Sequence, residues 1–165
     1  MQRRIYLETS LWGFYHDRSE ANRWRREAVR MLLDQVRAGR FAPFVSTLVL
    51  DEITASDEPF RTRDLDLLQS VGVEVLQVNP ADLARLADLY QAAGILPERH
   101  RADLLHAACV SMSDLHILVT YNCRHLANYR VVQGIWAVNL MHGYRTDFLV
   151  MTPEEVIDYD ETADG

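Results

Sequence analysis

Residues 103–128 read DLLHAACVSMSDLHILVTYNCRHLAN, and this stretch decides the fold. Its first part is rich in alanine, with Asp103 on the same helical face as His106, Ala107 and Val110, three, four and seven residues on. After Ser113-Asp114 comes the unbroken apolar run of residues 116–120. A helix that feeds such a run, with no polar alternation in it, indicates a strand of a parallel sheet covered on both faces.

The same alternation extends outward in both directions. Residues 5–7 form a short apolar strand ending at Glu8, followed by an aromatic-rich turn with Trp12, Gly13, Phe14 and Tyr15. Ser19 is placed to cap a helix over residues 20–37, with Trp24, Ala28, Met31, Leu32 and Val36 as its apolar stripe and Gly39 as its stop. A strand over 41–46, helices over 47–55 and 60–70, and a β-branched strand over 73–78 come next. Pro80, at a favoured first helical position, opens a helix with Leu83, Leu86, Ala87 and Tyr90 inward, and Gly94 ends it. Residues 135–143 read equally as helix or strand. Residues 148–151 form a last strand, and Thr152-Pro153-Glu154-Glu155 caps a short helix. The expectation is a three-layer α/β/α sandwich with a central, mostly parallel sheet: one domain over residues 1–158 and an acidic tail over 159–165.

Composition bounds the function classes. The chain has 165 residues, 48% of them hydrophobic and 25% charged, which is ordinary globular composition. No run approaches the roughly 18 apolar residues of a membrane span, and the N-terminus lacks the apolar core of a signal peptide. Cys109 and Cys123 do not have metal-site spacing, so a disulfide framework or structural zinc is not expected and a cytoplasmic location is. The net charge of −7 argues against a simple polyanion binder, but residues 1–40 hold nine Arg against five acids. All 17 basic residues are Arg; guanidinium groups suit phosphate, although genomic base composition produces the same bias.

Ligands of open parallel sheets bind beyond the carboxyl ends of the strands. Glu8 follows the first strand, Asn122 follows the 116–120 strand, Asp103 opens the helix before it, and Glu52 lies in the helix after the second strand. Several carboxylates brought close repel one another unless a cation neutralises them. Hard oxygen donors suit Mg²⁺ or Mn²⁺, and such a site cleaves phosphodiesters by generating a nucleophile and clamping the phosphate. Each residue taken singly has a plainer reading: a solvated turn, an exposed helix pair, a first-turn acid complementing the helix dipole, a cap. The inward face of the 103–110 helix distinguishes Asp103, since an inward Asp requires a partner. His106 on that face reads as a satisfied, partly buried histidine rather than a ligand.

Three segments, IYLETS at residues 5–10, VLDEI at 49–53 and the 103–128 stretch, resemble the successive motifs of PIN-domain proteins, in particular the VapC-like toxin branch. The resemblance runs from about residue 3 to about 157. By it, Glu8 stands where most members have Asp, Glu52 and Asp103 match the second and third acids, and Asn122 replaces a frequent fourth Asp. Ser10 and Thr120 match hydroxyls that support the metal or its water. What the resemblance implies is a magnesium- or manganese-dependent endoribonuclease leaving 5′-phosphate and 3′-hydroxyl ends, a homodimer, and inhibition by a cognate antitoxin encoded beside it. The longer Glu8 and uncharged Asn122 motivate an alternative: a non-catalytic PIN-like module that binds RNA or protein. A deoxyribonuclease on the same site is a third reading. Arg25 and Arg26, with Arg101 and Arg124 beside the third motif, are the candidates for RNA phosphate contact, and a solvated, internally paired helix is the competing reading of the arginine-rich segment.

Overall fold

A computed structural model describes residues 1–159; the tail at 160–165 lies outside them. Five strands, β1 (Arg3–Leu7), β2 (Phe41–Ser46), β3 (Glu74–Leu76), β4 (Ile117–Val119) and β5 (Leu149–Met151), form one sheet in the order β3-β2-β1-β4-β5. Every pairing is parallel. Helices flank the sheet, so the expected α/β/α layering holds.

β1 is the central strand. Ile5 pairs with Pro43 on one side and Ile117 on the other, Tyr6 with Phe44 and Leu118. Ile5, Tyr6, Leu7, Leu118 and Val119 are fully buried, which accounts for the unbroken apolar runs in both strands. Each such side chain contributes roughly 1.5–3 kcal/mol on burial.

The helices fall into two packed groups. On one side α1 (Arg23–Arg37) contacts α3 (Phe60–Val71) and the terminal α7 (Pro153–Val156), and α2 (Thr47–Thr54) joins α3. On the other side α4 (Pro80–Ala92) packs on α5 (Arg101–Ser111) and α6 (Tyr129–His142). Asn79 caps α4 through Oδ1, which accepts from the N–H groups of Ala81 and Asp82. Asn128 does the same for α6, and Gly143 ends it in the left-handed region. Those two caps settle residues 135–142 as helix and Gly143 as its stop, with Val131, Ile135, Val138 and Asn139 on the buried face.

The start of the arginine-rich helix differs from expectation. Residues 9–16 and 20–22 form 3₁₀ turns, and α1 begins only at Arg23. Asp17, not Ser19, organises this entry, accepting from Ser19 N and Asn22 Nδ2 at 2.8 and 2.6 Å. The helix is also rotated: Ala28, Val29, Leu32, Leu33 and Val36 are buried, whereas Trp24 and Met31 are largely exposed. Both apolar patterns share the Ala28–Leu32–Val36 row, so spacing alone leaves the helix free to turn either way.

Tyr90, Ser111 and Asn139 tie α4, α5 and α6 together. Tyr90 OH donates to Asn139 Oδ1 at 2.6 Å, while Asn139 Nδ2 donates to Ser111 Oγ and to the Arg145 carbonyl. Asn139 is fully buried. Asn139→Ala leaves the tyrosine hydroxyl and that carbonyl without this partner and is expected to cost about 2–4 kcal/mol, read as a lower urea midpoint at unchanged m-value.

Candidate metal centre

The chain runs β1 to β2 to β3 along one side of the sheet, then crosses to place β4 on the other side of β1. The switch point therefore lies between β1 and β4, where a crevice opens beyond the strand ends. Glu8 and Thr120, the residues immediately after those two strands, meet there. Glu8 N–H donates to the Val119 carbonyl, and Thr120 Oγ1 donates to Glu8 Oε2 at 2.7 Å. Ser10 adds its N–H at 3.1 Å and its hydroxyl at 2.5 Å to the same oxygen. Three donors thus converge on Oε2 of a side chain only 5% exposed, leaving Oε1 turned towards His106.

His106, on the inner face of α5, lies between two carboxylates. Its Nε2 is 2.5 Å from Oε1 of Glu52, on α2, and 3.9 Å from Oε1 of Glu8. Its Nδ1 is 2.6 Å from the Tyr6 hydroxyl, which is 2.7 Å from Ser46 Oγ. Burial, reinforced by Cys109, Glu8 and Glu52, pushes the Tyr6 phenol well above its ordinary range, so it stays a donor. A carboxylate only accepts, so a ring with one N–H carries it on Nε2 and takes the Tyr6 proton at Nδ1. Both ring nitrogens are therefore engaged, and His106 holds Glu52 in place, in keeping with the satisfied histidine read from the sequence.

Asp103 and Asn122 form the adjoining half. Asn122 Nδ2 donates to Asp103 Oδ1 at 2.9 Å, Asn122 Oδ1 accepts from His125 N, and Asn122 N donates to Thr120 Oγ1. Asn122 thus orients the acid and links it, through Thr120, to Glu8. The other oxygen of Asp103 is 3.0 Å from His125 Nδ1 and 4.0 Å from His100 Nδ1. His100, Asp103 and His125 present ligand atoms that all lie within 4.8 Å of one another. Desolvation, helped by His125 and Arg99, holds His100 below the usual histidine range, and its Nε2 accepts from Arg99 Nε at 3.1 Å.

Glu8, Ser10, Thr120, Asn122 and Asp103 are therefore joined in one hydrogen-bonded network, and His106 with Glu52 forms a second that approaches it at 3.9 Å, between His106 Nε2 and Glu8 Oε1. The four arginines belong to neither. Arg25 lies over Trp24 at 4.4 Å and near the Phe14 and Tyr121 rings, so it reaches the crevice edge through Tyr121. Arg26 donates to the Asp17 carbonyl, Arg101 pairs with Asp88 and Gln91 of α4, and Arg124 is exposed in the turn after Asn122. The reading of the α1 arginines as internally paired holds for Arg23 with Glu27 and Arg37 with Asp34.

His100 and His125, which the structure places beside Asp103, carry no motif in the sequence. Their only linear signal is spacing, His100 three residues before Asp103 and His125 three after Asn122. Among the described residues the cluster with the spacing of a divalent-cation site is His100, Asp103 and His125, an acid beside two imidazoles; Glu8 and Glu52 lie outside it, Glu8 buried with one oxygen unengaged and no arginine within ion-pair distance among the described residues. Imidazole alongside carboxylate favours Mn²⁺ over Mg²⁺. No protein-family model matches the chain, and no curated protein matches it.

Thr120→Val keeps the side-chain shape but removes the donor to Glu8 and the acceptor for Asn122 N. It is expected to destabilise the fold by about 1–3 kcal/mol in urea titration. Thr120→Ser should restore most of the loss, and equal stability of the Val and Ser variants would contradict this account.

Proposed function

We propose that the chain is a PIN-like, Mg²⁺- or Mn²⁺-dependent endoribonuclease. The observation that carries this reading is the joining of Glu8 and Asp103 in one hydrogen-bonded network at the β1/β4 switch point, with Glu52 brought beside it on His106, whose Nε2 is 3.9 Å from Glu8 Oε1. Glu8, Glu52 and Asp103 would hold the cation, with His100 and His125 beside Asp103. When bound, it supplies positive charge against the phosphate and lowers the pKa of water to give a nucleophile at neutral pH.

The protein's own groups do the rest. Ser10 and Thr120 fix Glu8 through Oε2, so its other oxygen has one direction to point. His106, backed by Tyr6, sets Glu52, and Asn122 sets Asp103. On this reading the uncharged Asn122 is a positioning group rather than a weakened ligand, which removes one of the two objections raised by the sequence. Three carboxylates on a divalent ion leave no surplus positive charge, so phosphate binding falls to nearby arginines.

The family resemblance further suggests a homodimer and a cognate antitoxin protein, with the enzyme acting in the cytoplasm as the toxin of such a pair. Among the described residues no helix is long and apolar enough to cross a membrane. The inert RNA- or protein-binding module is the second reading, motivated by the acidic net charge.

Purified protein should cut RNA only with Mg²⁺ or Mn²⁺, stop with EDTA, and lose at least about 10²-fold in rate on Asp103→Asn. Mn²⁺ at about 100 times its dissociation constant should add about 2.7 kcal/mol of stability, visible as a raised melting temperature. Cleavage indifferent to EDTA, or a melting temperature indifferent to Mn²⁺, would count against the proposal.

A further inference from the structure

A cleft of about 1070 Å³ adjoins the metal centre, with Ser10 in its wall. The 3₁₀ segment Thr9–His16 forms one side, and Arg18, Arg30 of α1, and Phe60 and Arg63 of α3 complete it. Arg23 and Arg37 on α1 and Arg61 on α3 have acidic partners. Arg18, Arg30 and Arg63 have no carboxylate within ion-pair distance among the described residues, in a chain with 24 acids to 17 arginines.

Arg30 spends its Nε on the Tyr15 carbonyl and Arg63 one terminal nitrogen on the His16 carbonyl, so each keeps N–H groups for another partner. Arg18 makes no hydrogen bond among the described residues. The one acid in the wall, Asp17, has its oxygens taken by Ser19 and Asn22. His16 is held below the histidine range by desolvation and by Arg63 and Arg30, so it adds no charge at neutral pH. Aromatic rings lie among the guanidinium groups: Phe60 is 56% exposed, and Phe14 packs edge-on to Tyr121, the neighbour of Asn122.

We infer that this cleft seats the single-stranded flank of the nucleic acid cut at the metal centre, Arg18, Arg30 and Arg63 binding its phosphates and Phe60 and Phe14 stacking on its bases. The inference rests on the nuclease reading. Guanidinium forks match phosphate oxygens in pairs, and aromatic faces interleaved with cations are how single strands are held without sequence preference. An acidic peptide would satisfy the arginines but leave an exposed phenylalanine with nothing to stack on. Continuity through Ser10, which bonds Glu8, gives the strand a route from cleft to carboxylates.

The test is fluorescence anisotropy with a labelled single-stranded RNA of about a dozen nucleotides, in EDTA, across a salt series. Arg18→Glu should lower the slope of log affinity against log salt by about 0.7 and weaken binding roughly tenfold. Phe60→Ala should weaken binding by roughly 5- to 100-fold with little change in slope. Both side chains are exposed, so melting temperatures should match wild type. Arg85→Glu, outside the cleft, should bind RNA as wild type does. Wild-type affinity and slope in both cleft variants would overturn the inference, as would equal weakening by Arg85→Glu or a preference for polyglutamate over RNA. Wild-type protein that binds RNA through the cleft yet shows no metal-dependent cleavage would instead remove the nuclease reading and leave the cleft assigned.

Discussion

The hydrogen bond from Thr120 to Glu8 joins the ends of the two strands between which the sheet reverses its order. Around it the rest of the site is arranged. Glu8 is buried, and a carboxylate there is tolerable only if its lone pairs are met. Thr120 and Ser10 meet those of one oxygen. Thr120 also receives the N–H of Asn122, so the turn that aims Asn122 at Asp103 is anchored at the same hydroxyl. The geometry of one half of the site thereby depends on that of the other, although Glu8 and Asp103 stand on different elements.

A second constraint operates behind the first. The sequence Ser46, Tyr6, His106, Glu52 is a line of hydrogen bonds from the buried sheet to a half-exposed acid. Tyr6 and Ser46 belong to neighbouring strands, so the imidazole is held by the most rigid part of the molecule. Precision at the rim is inherited from packing in the core.

Much of this was legible in the residues. The strands at β1, β2 and β4 announce themselves as apolar runs because parallel strands are buried on both faces, and α5 does so by the inward face that carries Asp103 and His106. Trp24 and Met31 misled because α1 offers two overlapping apolar stripes, and only tertiary contacts choose between them. The 3₁₀ turns before α1 depend on an aspartate accepting two local bonds, which no periodicity displays. At the site, Asp103 could be found from its helical face, whereas His100 and His125 could not. They come together only when the start of α5 meets the turn after β4, and each alone resembles any loop histidine.

That dependence on distant segments gives the molecule a time of onset. Glu8 emerges near the start of synthesis, but its hydroxyl partner Thr120 follows 112 residues later, and His125 later still. Domains fold as units while the chain is being made, and here no unit short of the fourth strand contains both Glu8 and that hydroxyl partner. A nascent or truncated chain ending before that strand lacks the Thr120 hydroxyl that fixes Glu8 and the Asn122 amide that fixes Asp103. The arrangement is complete only as the sheet closes around β1.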